Sequence, residues 1–245
     1  MSDASTYTPP KVWAWNKANG GRFANTNRPI AGATHDKELP VGKHPFQLYS
    51  LGTPNGQKVT IMFEELLALG HKGAEYDAWL IKIGDGDQFG SGFVAINPNS
   101  KIPALVDSEG PGGKPATIFE SVAICFYLAE KTGKFLGSPA DHPNVLKWSM
   151  FHATNVLATF GVLGRVNDPS FEAGAKSQLD TMNRHLAGRA WFAAEYSIAD
   201  IIPFTRINGV KHETVKVSDY PNVAKWVERV ASRPAVKKAM EAKFG

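Results

Sequence analysis

The residues best suited to chemistry lie at three corners of the chain: Thr53-Pro54-Asn55-Gly56, Lys101-Ile102-Pro103 and Glu120-Ser121. At the first, a hydroxyl, a proline and a side-chain amide stand where a strand-like run, Pro45-Phe46-Gln47-Leu48-Tyr49-Ser50-Leu51, gives way to a helical pattern. The first N–H groups of a helix lack intrahelical partners and carry partial positive charge, so such a corner can seat an anion. It is not a Walker loop, because no G-x-x-x-x-G-K-[ST] is present. A threonine hydroxyl is a poor nucleophile alone, and no Ser/Thr–His–Asp arrangement accompanies it. What Thr53 can do is donate a hydrogen bond to a thiolate brought from outside. A free thiol titrates at about pH 8.5. One such bond beside a helix N-terminus lowers that by about a unit or more. The plainer alternative is a cap for the helix, with Pro54 in its first turn.

The second corner opens a strand with proline, which signals an edge or a cis bond. If Ile102–Pro103 is cis, the N–H and C=O of Ile102 turn outward and can pair with a peptide-like ligand as an added strand would. At the third, backbone N–H groups and the Ser121 hydroxyl form a carboxylate site, and Glu120 can hold an ammonium. Capping by Ser121 beside a solvated Glu120 is the plainer alternative. Each signal is weak by itself. Together they offer a thiol site, a backbone clamp, and a paired carboxylate and amine clamp on one sheet edge.

The elements that must position these corners follow from periodicity. A strand over 45–51 precedes a helix from Gly56 to Leu69, whose apolar face is Val59, Met62, Phe63, Leu66 and Leu67 and whose stop is Gly70. A strand at Tyr76–Lys82 then implies a parallel pair with a right-handed crossover. A Gly-rich loop, GDGDQFGSGF, leads to strands at Ala104–Asp107 and Ala116–Phe119, joined as a hairpin by SEGPGGKP. A helix over Glu120–Lys131 ends before Gly133. The order β-α-β-β-β-α is the α/β layout of a thioredoxin-like domain, spanning 45–133. After a Gly/Pro linker at 134–141, only helical signals remain over 142–245, with candidates at 143–164, 170–187, 197–210 and 221–241. Ser197 caps the third of these, with Asp200 at its N3 position and Tyr196 with Ile201 as a hydrophobic staple. Residues 1–44 read as an extended arm anchored by Trp13, Trp15 and Phe23.

Composition limits the function classes. The chain has 245 residues, 43% apolar and 20% charged, the balance of a soluble globular protein with one large or two modest domains. No apolar run is long enough to cross a membrane, and the start lacks a secretory layout. One cysteine, Cys125, excludes an intrachain disulfide and fits the reducing cytoplasm. It sits within an apolar helix and reads as core, as does Trp226. The net charge of +4 is spread along the chain, so nucleic-acid binding is not expected, while the mild positive bias is compatible with a small anionic substrate. The 7 histidines show no H-x-x-x-H or H-E-x-x-H spacing, so no metal site is expected.

These residues resemble those of a glutathione transferase, and within that superfamily the bacterial nu class. The resemblance is carried by TYTPPKVWAWNK, FANTNRP, LPVGKHPFQLYSLGTPNGQKVTIMFEELLALG, EYDAWLIKIGDGDQF, NPNSKIPALVD and ESVAICFYLAEKTGKF, and continues through YSIAD and YPNVAKWVERVASRPAVKKA. It implies a thioredoxin-like glutathione site, an all-helical second domain and a homodimer. It places Thr53 and Asn55 at the glutathione sulfur, and Gln88 and Lys101 on the tripeptide, with Lys101 at the glycyl carboxylate. Ile102 clamps the cysteinyl backbone, Glu120 and Ser121 hold the γ-glutamyl end, and Asn27, rather than Asn25, holds a second glutathione. The implied activity is disulfide reduction with weak conjugation. Conventional conjugation or thioether and ether cleavage is the alternative, and a non-catalytic binding scaffold is the alternative of another class. The region Val156–Gly174 is shorter than the family's, with Ala153 and Ser170 where a glutamine and an arginine would face the second glutathione. The family's long C-terminal tail has no counterpart after Phe244-Gly245. One glutathione per site is therefore the expectation and a second is conditional on those contacts.

Overall fold

The computed structural model describes residues 11, 12, 26, 32–163 and 168–244. Along the chain the elements are β1 (Phe46–Ser50), α1 (Pro54–Ala68), β2 (Tyr76–Leu80), α2 (Ser91–Ile96), β3 (Ala104–Asp107), β4 (Ala116–Phe119) and α3 (Ser121–Thr132). Then come α4 (His142–Phe151), α5 (Leu157–Val162), α6 (Pro169–His185), α7 (Ile198–Asn208), α8 (Pro221–Ala231) and α9 (Pro234–Met240). Two compact units divide them: Met1–Leu39 with Ile81–Lys101, and Pro40–Leu80 with Ile102–Gly245.

The second unit holds a 4-stranded sheet in the order β2-β1-β3-β4. β1 and β2 run parallel, with Phe46 opposite Tyr76, while β1–β3 and β3–β4 are antiparallel. The strands, α1 and α3 thus follow the expected order, and the hairpin strands keep the boundaries read from the sequence. Phe46 and Leu48 of β1 join Val59, Met62, Phe63 and Leu66 of α1 and Ile124 and Leu128 of α3 in one core. Each such side chain contributes about 1.5–3 kcal/mol on burial. Left-handed glycines end both long helices, Gly70 at φ +70° and Gly133 at φ +64°, as the sequence implies.

The helical elements of this unit are fastened to α1. Thr205 of α7 donates to the Pro54 carbonyl at 2.6 Å, and Arg233 grips the buried Glu65 through two bonds of 2.5 and 2.7 Å. Ser197 and Asp200 form the expected capping box. Asp200 also accepts from Trp226 Nε1 at 2.8 Å, which explains how the buried indole and the buried carboxylate coexist.

Two expectations are corrected here. The helix expected over 143–164 is interrupted by a π-turn at His152–Val156, whose His152 ring lies 4.5 Å from that of Phe192. The helix expected over 221–241 is two, because Pro234 has no N–H and biases Arg233 to an extended ψ of 131°.

In the first unit, the segment expected to be only a Gly-rich loop contains α2 and a 3-10 turn at Asp87–Phe89. The described part of the arm pairs with it through backbone bonds: Ser91 N donates to His35 O at 2.9 Å and Gly92 N to Lys37 O at 3.0 Å. A Cβ on Gly92 would press to 2.8 Å from the Lys37 carbonyl oxygen, so glycine is what admits the arm there. Trp13, Trp15 and Phe23 lie outside the described residues. Among the described residues no helix is long and apolar enough to cross a membrane.

Candidate functional site

The corner between β1 and α1 is built by three neighbouring choices. Thr53 sits at the N-cap with extended dihedrals, and its Oγ1 accepts from Gly56 N at 3.3 Å. Pro54 occupies the first turn, where a missing N–H costs nothing. Gly56 packs so tightly on the Leu51 carbonyl and Ser50 Oγ that any Cβ would collide with both. Thr53 therefore does cap the helix. Accepting one bond uses a lone pair and leaves the hydroxyl hydrogen to donate elsewhere.

One turn further, Lys58 is fully buried. Its ammonium donates to Asn55 Oδ1 at 2.6 Å and to Ser121 Oγ at 3.3 Å. Burial pulls its pKa from the ordinary lysine value down to about 7; Cys125 and Glu120 oppose that and Arg206 adds to it. Cys125 is buried without exposure, and burial pushes its thiol up to about 12, the mark of an inert core cysteine.

At the third corner the chain turns from β4 into α3 through Glu120, whose φ of +70° is rare for a side-chain-bearing residue. Such a conformation costs about 1–3 kcal/mol and is retained where the surroundings over-determine it, commonly at binding sites. Glu120 is exposed and makes no capping bond, while Ser121 is the first helical residue. The plainer reading, with Ser121 as the cap, does not hold: its oxygen faces Lys58.

The Ile102–Pro103 bond is cis. In the first unit, Gln88 is buried and donates to Thr26 O at 3.4 Å and Ile83 O at 3.2 Å, and Lys101 Nζ lies 3.5 Å from that same Thr26 carbonyl. The structure thus gathers Thr53, Asn55, Ser121 and Lys58 in one unit, and Gln88 and Lys101 in the other. Asn27, with Asn25, lies outside the described residues.

Two family models match the chain, the glutathione S-transferase N-terminal domain over residues 54–131 and its C-terminal domain over 167–243. The chain belongs to the glutathione S-transferase family. It is 49% identical over 97% of its length to the disulfide-bond oxidoreductase YghU of Escherichia coli (strain K12), of which it covers 88%. It is similar to the crystal structure of glutathione transferase YghU from Streptococcus pneumoniae ATCC 700669 complexed with glutathione, with TM-score 0.88, 42% identity and 98% of each chain covered. A glutathione transferase from Burkholderia graminis, solved with two glutathione molecules per subunit, matches with TM-score 0.75 and 36% identity over 82% of this chain and 90% of that one.

In this transferase a cavity of about 210 Å³ lies beside Pro54, lined by Phe160, Leu163, Arg206, Lys211 and His212 among others. Its lining combines the apolar Phe160 and Leu163 with the basic Arg206 and Lys211. Ala153 falls in the π-turn and Ser170 in the first turn of α6. Sequence reasoning missed Lys58 and Arg206. For Lys58 a signal existed: it stands in phase with Ile61 and Glu65 on the buried face of α1, a charged residue at a core position.

Proposed function

We propose that this transferase is a glutathione-dependent disulfide-bond reductase of the nu type, in which Thr53 and Asn55 steady the glutathione thiolate. The observation that carries the reading is Cys125: the chain's one cysteine is buried and its thiol is pushed to about 12, so a reactive sulfur must be borrowed. Thr53, half-exposed at the positive end of α1 with a hydroxyl hydrogen to give, is suited to hold that sulfur as its anion. Glu120 and Ser121 take the γ-glutamyl end, the Ile102 backbone the cysteinyl peptide, and Gln88 and Lys101 the rest of the tripeptide. The bound thiolate attacks one sulfur of a disulfide, expelling a thiolate and forming a mixed disulfide. A second glutathione thiolate, for which Asn27 is the candidate contact, attacks the glutathione sulfur of that mixed disulfide, giving glutathione disulfide and a second free thiol. Two glutathiones are oxidised and one disulfide is reduced. The cavity beside Pro54 is the candidate seat for the co-substrate.

The same reading carries a homodimer in the cytoplasm. Leu146 and Met150, one turn apart on α4 and 43% and 38% exposed, supply an apolar stripe suited to self-association. Light scattering of the purified protein tests that part.

The decisive assay is reduction of 2-hydroxyethyl disulfide by glutathione, wild type against Thr53→Ala. Loss of one bond to a charged sulfur, about 1.5–3 kcal/mol, lowers kcat/KM roughly 10- to 150-fold. Conjugation of a dinitrobenzene halide without disulfide turnover would replace this reading by conventional transferase chemistry. No turnover together with no glutathione binding by calorimetry would leave a scaffold.

A further inference from the structure

Lys58 has no role in the reaction just described, yet it is a fully buried basic residue bonded to two candidate site residues. We propose that Lys58 is a positioning residue of that site: its ammonium turns Asn55 and Ser121 into obligate hydrogen-bond donors and lends positive charge to the anions they hold. This rests on the glutathione reading above.

The geometry has few alternatives. An ammonium carries three donors and no acceptor. At 2.6 Å it must face the oxygen of the Asn55 carboxamide, so the Asn55 Nδ2 hydrogens are directed away from it. At 3.3 Å it occupies a lone pair of Ser121 Oγ, leaving that hydroxyl's hydrogen to donate. An amide and a hydroxyl, each able to accept or donate, thus both present hydrogens. Such a pair suits a thiolate at Asn55 and a carboxylate at Ser121, and refuses a second donor.

The setting favours this use over simple packing. Lys58 is wholly buried, and among the described residues its hydrogen-bond partners, the Asn55 amide and the Ser121 hydroxyl, are both neutral. A buried ammonium with only neutral partners is costly, unless an anion arrives. The charged and titratable groups acting on it are Glu120 at the N-cap of α3, Cys125 within α3, and Arg206 on α7. Cys125 stays neutral, and Arg206 and Glu120 act on Lys58 in opposite directions. Burial holds Lys58 close to its neutralisation point, at about 7. A bound thiolate and carboxylate raise it again, and by reciprocity Lys58 lowers the thiol's pKa.

The test compares wild type with Lys58→Met, using thiolate ultraviolet absorbance of bound glutathione against pH, and calorimetry with S-methylglutathione. Methionine fills similar volume without charge, and exchange of a buried charge for an apolar group commonly preserves folding. Should Lys58→Met fail to fold, Lys58→Gln, which keeps a donor but no charge, reads the same quantity. The expected result is a bound-thiol midpoint raised by about one pH unit, roughly tenfold less thiolate at neutral pH. Affinity for S-methylglutathione falls as well, through Ser121. A folded variant that binds glutathione with an unchanged midpoint overturns the role given to Lys58. Wild type that binds no glutathione overturns instead the reading beneath it.

Discussion

Thr53 caps α1 and is assigned a thiolate, and two substitutions separate these roles because they keep one and differ in the other. Asp and Asn are both good N-caps, so each preserves the bond now made to Gly56 N at 3.3 Å. That bond is long, which puts its worth near the low end of the range, about 0.5–1 kcal/mol. The first turn of α1 contains no acidic residue, so a carboxylate at position 53 adds about 0.3–1 kcal/mol through the helix dipole. The melting temperature of Thr53→Asp is therefore equal to wild type or a few degrees higher. Catalysis behaves oppositely. An ionised aspartate has no hydrogen to donate, which forfeits about 1.5–3 kcal/mol. It also repels a thiolate about 4 Å away by about 4 kcal/mol at an effective dielectric constant of about 20. Disulfide turnover, followed as glutathione disulfide through coupled NADPH oxidation, drops at least about a thousandfold. Thr53→Asn caps through Oδ1 and donates through Nδ2, so it keeps turnover within about tenfold of wild type. Thr53→Asp with turnover within a few-fold of wild type would refute the donor role, and so would an asparagine variant as inactive as the aspartate.

Three further outcomes follow from the packing. Gly56→Ala drives a methyl into the Leu51 carbonyl and Ser50 Oγ, so urea unfolding should show a loss of about 1–3 kcal/mol; unchanged stability would contradict the tight corner. Asp200→Asn swaps an acceptor for a donor in a carboxylate that accepts from Phe192 N, Ser197 N and Trp226 Nε1, and should cost about 2–4 kcal/mol by calorimetric melting. Cys125, with its thiol pushed to about 12, should react with a maleimide only on unfolding, and iodoacetamide should leave disulfide turnover unchanged; rapid labelling of the native protein would undo the argument that the sulfur is borrowed.

What was legible in the sequence was what local chemistry decides. Gly70 and Gly133 stop helices because the left-handed turn after each is cheap only for glycine, and both adopt it. The hairpin Ala104–Asp107 and Ala116–Phe119 is read correctly because its Gly- and Pro-rich connection allows no more than a 3-10 turn at Pro111–Gly113 between the strands. α2 was illegible because Ser91–Ile96 is short and begins among glycines; its start leans on backbone bonds from the arm at 35–37, which no local period records. Pro234 announced the break between α8 and α9, but the apolar period runs through it and hid the break. The candidate site divides in the same way. Thr53, Asn55, Glu120 and Ser121 are legible as candidates because each stands at the start of a helix, where polar side chains have a local reason to be. Lys58 was not, because a period that marks apolar faces assigns a lysine to solvent by default. What holds its ammonium is the Asn55 amide within the same turn and the Ser121 oxygen 63 residues downstream. A charge stranded on the apolar face of a helix is costly to the fold, so its burial points to a demand other than stability, and the proposed thiolate site would supply one.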